Sequence, residues 1–140
     1  MKSKFSSILQ VKKRALELAE ARVAKAQNAL ANAEIVVQNA KSELLSLTLP
    51  TKGDSSQLSM AIASIASARA SLAMASERVS LASKELAHFK HLYKQANLEF
   101  EKINYLHEQE IKAALEANAK SEAARLDEFG TIGFARKMRL

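Results

Sequence analysis

The sequence predicts an all-α protein in which two long helices pack as an antiparallel coiled-coil hairpin. Its 140 residues include only 3 Gly and 1 Pro, so few residues oppose helix formation. Apolar side chains recur at every seventh position in two long runs, and the single proline lies between these runs. Two amphipathic helices joined by a short turn bury their apolar faces against each other, so the hairpin is the expected fold.

The first helix is predicted over residues 4–48. Every seventh residue from Leu9 to Leu44 is Leu or Val, and the position three residues after each is alanine except at Lys12 and Leu47. This is the repeat of a coiled-coil seam. Because alanine is small, the two helix axes are expected to approach toward the close end of the usual range of about 8–10 Å.

The turn is predicted over residues 49–55. Pro50 removes a backbone donor and disfavours helix at Leu49, while Gly53 tolerates a positive φ. Asp54 is a typical residue to cap the next helix, and Gln57 three residues later completes a pattern similar to a capping box.

The second helix is predicted over residues 56–129, because the same repeat resumes at Leu58 and continues to Phe100. A turn centred near Thr51 makes the numbers of facing residues add up to roughly 103. The second helix therefore overhangs the first at its C-terminal end, from about Ile103 onward. Gly130 begins a predicted flexible basic tail over residues 130–140.

The overhang carries a thin apolar stripe that the first helix cannot cover. The repeat changes phase at its start, where apolar positions are four residues apart, and such a stutter locally unwinds a coiled coil. An uncovered apolar stripe indicates a partner, and the two phenylalanines beyond the seam are the expected contact anchors. The residues concerned are Ile111, Leu115, Leu126, Phe129 and Phe134.

Positive charge is concentrated at the start of the chain. The net charge is +6, and the first fourteen residues hold five basic residues and no acidic one. Basic clusters bind nucleic acids, but no basic helix leads into a parallel zipper and no aromatic platform is present for base stacking. We therefore expect no nucleic-acid partner. The hairpin places this cluster at its open end.

The sequence offers no candidate catalytic centre, so we expect no enzyme activity and no cofactor. Its glycines form no phosphate-binding pattern and it has no cysteine. His88 and His91 share a helix face with Glu85, but zinc usually needs a fourth ligand, so no metal site is expected. The charge-poor stretch 55–76 falls short of the roughly 20 consecutive apolar residues that cross a bilayer. We therefore expect a cytoplasmic protein without direct membrane insertion.

Four features together resemble a known family. They are the start Lys4–Lys12, the turn near one third of the chain, the long second helix, and the end Arg125–Phe129 followed by Ala135–Lys137. They are similar to FliJ, the small coiled-coil component of the flagellar export ATPase complex. The most specific part of the resemblance is the Leu-Asp-Glu-Phe segment with its basic tail.

The resemblance implies a non-enzymatic, stalk-like protein of the flagellar type III export apparatus. Such a protein inserts its open coiled-coil end into the ring of the hexameric export ATPase and promotes ring assembly and activity. It also links the ring to the cytoplasmic domain of the export gate and to export chaperones. The implied location is the cytoplasm, peripheral at the cytoplasmic face of the export apparatus.

Two arguments give candidate ATPase contacts. By the resemblance, the acidic pair and the phenylalanine of the terminal motif are contacts, and charge and position add three basic residues near the N-terminus. The ATPase-binding candidates are Lys12, Lys13, Arg14, Asp127, Glu128 and Phe129.

For the export gate, the resemblance implies a contact on the coiled-coil surface nearer the turn. No sharp motif lies there, and Ile62 and Arg69 are the gate-binding candidates. Alternative interpretations are a generic coiled-coil adaptor or chaperone, the injectisome equivalent of the stalk, and a basic nucleic-acid binder. The sequence also leaves open whether the free protein is a monomeric hairpin or an antiparallel dimer that shares the same seams.

Overall fold

The computed structural model describes residues 2–138, which form two helices and no strand. Helix α1 spans Ser6–Ser46 and helix α2 spans Ser55–Met138. The two helices pack against each other, so the predicted helical hairpin is confirmed. The chain divides into two compact units, the turn unit Leu16–Ala96 and the terminal unit, Met1–Ala15 with Asn97–Leu140.

The seam of the turn unit consists of the predicted heptad positions. Ala26, Ala68, Ala75 and Leu86 are the buried residues, and the other heptad positions from Leu16 onward are half-buried, apart from the exposed Leu58 at the start of α2. Three of these four buried residues are alanine, which contributes little apolar area. The two helices are therefore held by many small contacts rather than by a thick core.

The turn before α2 has the predicted geometry. Gly53 has a φ of +139°, and a side chain at this position would collide with that of Gln57. The backbone amide of Gln57 donates a 2.9 Å hydrogen bond to Asp54 Oδ1. The Leu58 amide donates a 3.2 Å hydrogen bond to the Asp54 carbonyl. Asp54 therefore caps α2, as the sequence predicted.

The pairing of the helices differs from the predicted register. In the turn unit, Glu43 and Leu47 line the same groove as Ala68 and Ser64, so the numbers of facing residues add up to about 111 rather than 103. The cause is the segment between the helices. Its residues 50–55 line a hollow with Leu58, beside the first turns of α2. Non-helical chain spans about 3.3 Å per residue against 1.5 Å in a helix, so this loop, rather than α1, accompanies those turns.

In the terminal unit the overhang begins later than predicted. Ile111 is the last half-buried residue of α2, and every side chain from Lys112 to Lys137 is exposed. The predicted start near Ile103 is therefore wrong by about two helical turns. Within this unit Lys12 pairs with Glu99, and the numbers of these two residues add up to 111 rather than 103. The half-buried His107 lies between Ile103 and Ile111, at the predicted change of phase.

The predicted end of the second helix at Phe129 is also wrong, because α2 continues through Gly130 and Gly133 to Met138. Glycine costs roughly 1 kcal/mol relative to alanine in a helix but keeps its backbone donor, so two isolated glycines need not end the helix. The Thr131 hydroxyl donates a 2.9 Å bond to the Asp127 carbonyl within this stretch. Residues 139 and 140 of the predicted tail lie outside the described residues.

Helix α2 is also long and apolar enough, by length and composition, to cross a membrane. The apolar window is only 11% buried in the structure. One such helix is weak evidence for a membrane span, and the absence of membrane insertion stays a prediction.

Leu86 tests the contribution of the few larger seam residues. Leu86 is 9% exposed and Leu45 is 83% exposed. We expect Leu86→Ala to lower the free energy of unfolding by about 2–3 kcal/mol through lost burial and a cavity. The matched change Leu45→Ala should alter it by less than about 0.5 kcal/mol. Urea unfolding followed by circular dichroism measures both, and equal losses would contradict the described seam.

Candidate partner-binding surface

The N-terminal residues of the terminal unit are fixed by a serine pair. The Phe5 amide donates a 3.0 Å hydrogen bond to Ser3 Oγ, and the Ser6 amide donates to the Ser3 carbonyl at 3.1 Å. The Ser3 amide in turn donates to Ser6 Oγ at 2.8 Å. Ser3 and Ser6 therefore satisfy backbone groups that the first turn of α1 leaves without helical partners.

Ser3 also connects the start of the chain to α2. Its hydroxyl oxygen lies 2.6 Å from Nδ1 of His107. Ser3 Oγ has one proton and two lone pairs, so it can bond Nδ1 of His107 and still accept the backbone amide of Phe5. This contact fixes the first residues against α2 at the place where the overhang begins. The sequence analysis did not predict the contact with His107. The spacing of Ser3 and Ser6 is typical of a helix cap and indicates only that the start of α1 is ordered.

An ion pair joins the two helices of the terminal unit. Lys12 Nζ lies 2.8 Å from Glu99 Oε2, with side chains 30% and 58% exposed. The hydrogen bond from Lys12 and then its positive charge hold the pKa of Glu99 below its usual value of 4.5, and Lys102 adds a smaller effect. An exposed pair of this kind contributes little to stability, and it adds only a small preference for the register of the helices here.

Of the three basic candidates near the N-terminus, two are free of this pair. Lys13 and Arg14 are exposed on α1, next to the half-buried Lys12. Lys4 is also exposed and stacks over the Phe5 ring, with Nζ 5.3 Å from the ring centroid. The start of α1 therefore presents several cations to solvent.

The candidates on the overhang are also exposed. Leu126 and Phe129 are each 71% exposed, and Asp127 and Glu128 between them are exposed as well. Phe134 is 64% exposed five residues further on, about 140° round the helix from Phe129. Large apolar side chains on a helix with no intramolecular cover form a contact surface for another chain.

The structure does not bring the two groups of ATPase candidates together. Glu99 marks the level of Lys12 on α2, and Phe129 follows it by thirty helical residues, which is about 45 Å. The basic patch (Lys4, Lys13 and Arg14) and the apolar patch (Leu126, Phe129 and Phe134) are therefore separate surfaces of the terminal unit.

The gate candidates lie in the turn unit. Ile62 is 54% exposed and Arg69 is exposed, and they are seven residues apart on α2. This spacing places them on one side of the helix, about 10 Å apart along its axis.

Within residues 2–138, no group of three His, Cys, Asp or Glu side chains is arranged to hold a metal ion. The His88 ring lies against that of Phe89, with centroids 5.7 Å apart and planes tilted by 48°. The imidazole of His88 therefore packs against the neighbouring Phe89 ring.

The family that matches this chain agrees with the observed helical hairpin. The family model described as flagellar FliJ protein matches residues 1–139, nearly the whole chain. The chain belongs to the FliJ family. Membership makes it a component of the flagellar export apparatus, and FliJ is a non-catalytic component of that apparatus. No curated protein and no solved structure matches the FliJ chain described here.

The ion pair of this FliJ chain gives a titration test. We expect Lys12→Met to raise the pKa of Glu99 toward 4.5, because the hydrogen bond and the charge that lower it are removed. Carbon-detected nuclear magnetic resonance of the Glu99 carboxyl measures this shift. Lys13→Met is the matched control and should leave the Glu99 titration unchanged.

The lowered pKa of Glu99 also determines how the stabilising effect of this ion pair depends on pH. Because the pKa of Glu99 is lower in the folded protein, its stabilising contribution is present at neutral pH and disappears as the pH falls through the folded-state value. A titration of Glu99 that does not respond to Lys12→Met would contradict the pairing.

Proposed function

We propose that this FliJ-family chain is a stalk-like component that binds the hexameric flagellar export ATPase through its terminal unit. In this role it promotes assembly and activity of the ring and links the ring to the export gate and to export chaperones. The protein acts in the cytoplasm, peripheral at the cytoplasmic face of the export apparatus. Binding requires no catalytic group of its own.

The observation that carries the proposal is the unpaired end of α2. From Lys112 to Lys137 the helix has no packing partner among the described residues, yet it displays Leu126 and Phe129 at 71% exposure. A solvated helix gains nothing from such side chains, whereas an interface typically centres on an aromatic anchor. Asp127 and Glu128 flank this anchor and supply hydrogen-bond acceptors for the rim of the same contact.

The basic patch supplies a second point of attachment. Lys12, Lys13 and Arg14 follow one another on α1. Lys12 pairs with Glu99, whereas Lys13 and Arg14 are exposed and form no ion pair with the residues that the structure describes. Surface charges of one sign guide association and fix orientation more than they add affinity. The level of Lys12 and the Phe129 anchor lie about 45 Å apart along α2, and two points of attachment define both the depth and the direction in which a ring holds the helices.

The contact with the export gate is proposed for the turn unit. Ile62 offers an exposed apolar group, and Arg69 is the one charged residue between Ser55 and Ser76. Together they give a small surface in which one apolar and one charged contact select a partner.

The ATPase contact is tested by mixing the purified protein with the export ATPase and measuring ATP hydrolysis and ring formation. We expect Phe129→Ala to raise the concentration for half-maximal stimulation at least tenfold, which is about 1.4 kcal/mol. Leu45→Ala is the matched control, since Leu45 is exposed as well, at 83%, but lies in the turn unit.

The basic patch is tested in the same assay with Lys13→Ser combined with Arg14→Ser. Lys41→Ser combined with Lys52→Ser removes the same charge from exposed positions of the turn unit. Only the double variant at Lys13 and Arg14 should weaken the stimulation of ATP hydrolysis, and added salt should reduce its difference from the wild-type protein. Unchanged hydrolysis and unchanged rings with saturating wild-type protein would instead favour a generic coiled-coil adaptor.

The gate contact is tested by titrating the cytoplasmic domain of the export gate onto the labelled protein. Ile62→Ser and Arg69→Ser should each weaken binding about tenfold or more, while Phe129→Ala should leave it unchanged. Normal gate affinity in both turn-unit variants would show that the contact lies elsewhere.

A further inference from the structure

A groove lies between the two helices of the turn unit, beside Phe89. It has a volume of about 400 Å³, which falls within the range of about 300–1,000 Å³ typical of ligand pockets. Its floor is apolar, because Ala26 and Ala29 of α1 are too small to fill the space beside the half-buried Phe89 ring. Three charged residues complete the lining of this groove, the basic groove. They are Arg22, Lys25 and Glu85.

The two cations of the basic groove have no carboxylate that neutralises them. Arg22 and Lys25 are three residues apart on α1, and no acidic residue lies three or four positions from either of them. Glu85 lines the same groove, yet within residues 2–138 the single ion pair is that of Lys12 with Glu99. Like charges on neighbouring positions of a helix repel each other. An anion bound between Arg22 and Lys25 would relieve this repulsion.

An exposed leucine stands at each end of the basic groove. Leu18 comes one turn before Arg22 on α1, and Leu81 comes one turn before Glu85 on α2. The two leucines are 54% and 58% exposed. Because facing numbers in this unit add up to about 111, Leu81 lies level with Leu30, about 18 Å along the axis from Leu18.

This arrangement of apolar sites has the dimensions of a short helix. About twelve helical residues span 18 Å, and the apolar side chains of an amphipathic helix recur about once per turn. A partner helix that lies in a groove typically contacts it through such a row of anchors. The floor of the basic groove therefore accommodates the middle anchor, and Leu18 and Leu81 contact the anchors on either side of it.

We propose that the basic groove binds an acidic amphipathic helix of a partner protein. The middle apolar side chain of that helix packs beside Phe89, and carboxylates along one flank of the helix pair with Arg22 and Lys25. Glu85 repels carboxylates on the other flank and so determines which flank faces α1. Arg78 lies seven residues from Glu85 on the same side of α2 and adds a third positive charge. Three cations against one carboxylate select an acidic partner.

The basic groove is separate from the surfaces proposed for the ATPase and the gate. Ile62 and Arg69 lie about 140° and 160° round α2 from Glu85, on the other flank of the seam. The ATPase candidates belong to the terminal unit. An assay of the basic groove needs neither of these partners, so its failure would leave the proposed function unaffected.

A designed peptide serves as the probe of the basic groove. It is a blocked, fluorescein-labelled helical peptide of about sixteen residues, with leucine, phenylalanine and leucine on successive turns. Glutamate occupies one flank of this apolar face and glutamine the other. Fluorescence anisotropy should show saturable binding to the full-length protein below about 1 mM. Replacing the glutamates by lysine should weaken binding at least tenfold, and added salt should reduce this difference.

Filling the groove tests where the peptide binds. Ala29→Leu places a large side chain in the groove without changing the buried seam, because Ala29 is exposed. It should weaken peptide binding at least tenfold. Ala24→Leu is the matched control, since Ala24 is also exposed but lies about 140° round α1 from Ala29. It should leave binding unchanged, and circular dichroism should show the same helix content in both variants.

Removing the cations tests the selection by charge. Arg22→Gln combined with Lys25→Gln should weaken binding of the glutamate peptide at least tenfold. Lys41→Gln combined with Lys52→Gln removes the same charge from exposed positions of the turn unit and should have little effect.

Three results would overturn the proposal. The first is the absence of saturable binding, and the second is equal affinity for the glutamate and lysine peptides. The third is an equal loss of binding in Ala29→Leu and Ala24→Leu, which would place the contact elsewhere. If the peptide does not bind but phosphatidylglycerol vesicles do, and only through Arg22 and Lys25, the groove belongs to a lipid surface instead.

Discussion

The alanine seam is the constraint on which the rest of the molecule depends. Ala26, Ala68 and Ala75 are among the few buried residues, so the helices approach closely but bury little apolar area per turn. Stability therefore comes from the length of the seam, and specificity has to come from other contacts. Those contacts are the cap at Asp54, the Lys12 to Glu99 ion pair and the Ser3 to His107 hydrogen bond.

The connection between the helices decides which part of α2 remains uncovered. Because the chain from Leu47 to Asp54 accompanies the first turns of α2, α1 begins its pairing later along α2 than a symmetric turn would allow. The register of the turn unit differs from the predicted one by about eight residues, and in the terminal unit the cover of α2 extends to Ile111. A change in loop length or in the conformation of Gly53 would therefore alter the pairing of the helices in the turn unit.

The sequence predicted the features that follow from periodicity and missed those that depend on three-dimensional detail. The seven-residue repeat identified nearly all the seam residues, since period fixes the side on which a residue lies. It contains no information on how far Leu47 to Asp54 would extend, so the register was wrong. The predicted helix end before Gly130 was wrong because helix propensity is a weak guide to where a helix ends. Ser3 and His107 are 104 residues apart and share no repeat, which explains why the sequence analysis missed their contact. The exposure of Phe129 was predictable, because it follows from the overhang of α2.

The exposed part of α2 also links stability to binding. A helical segment in water gains most of its stability from packing of an apolar face, and the segment from Lys112 onward has no such packing among the described residues. Gly130 and Gly133 lower its intrinsic helicity further. A partner that covers Leu126 and Phe129 would therefore stabilise the helix as it binds, and part of the binding free energy would be spent on ordering it. The order of this end of α2 would then depend on the presence of its partner, unlike the turn unit, whose seam is closed within the chain.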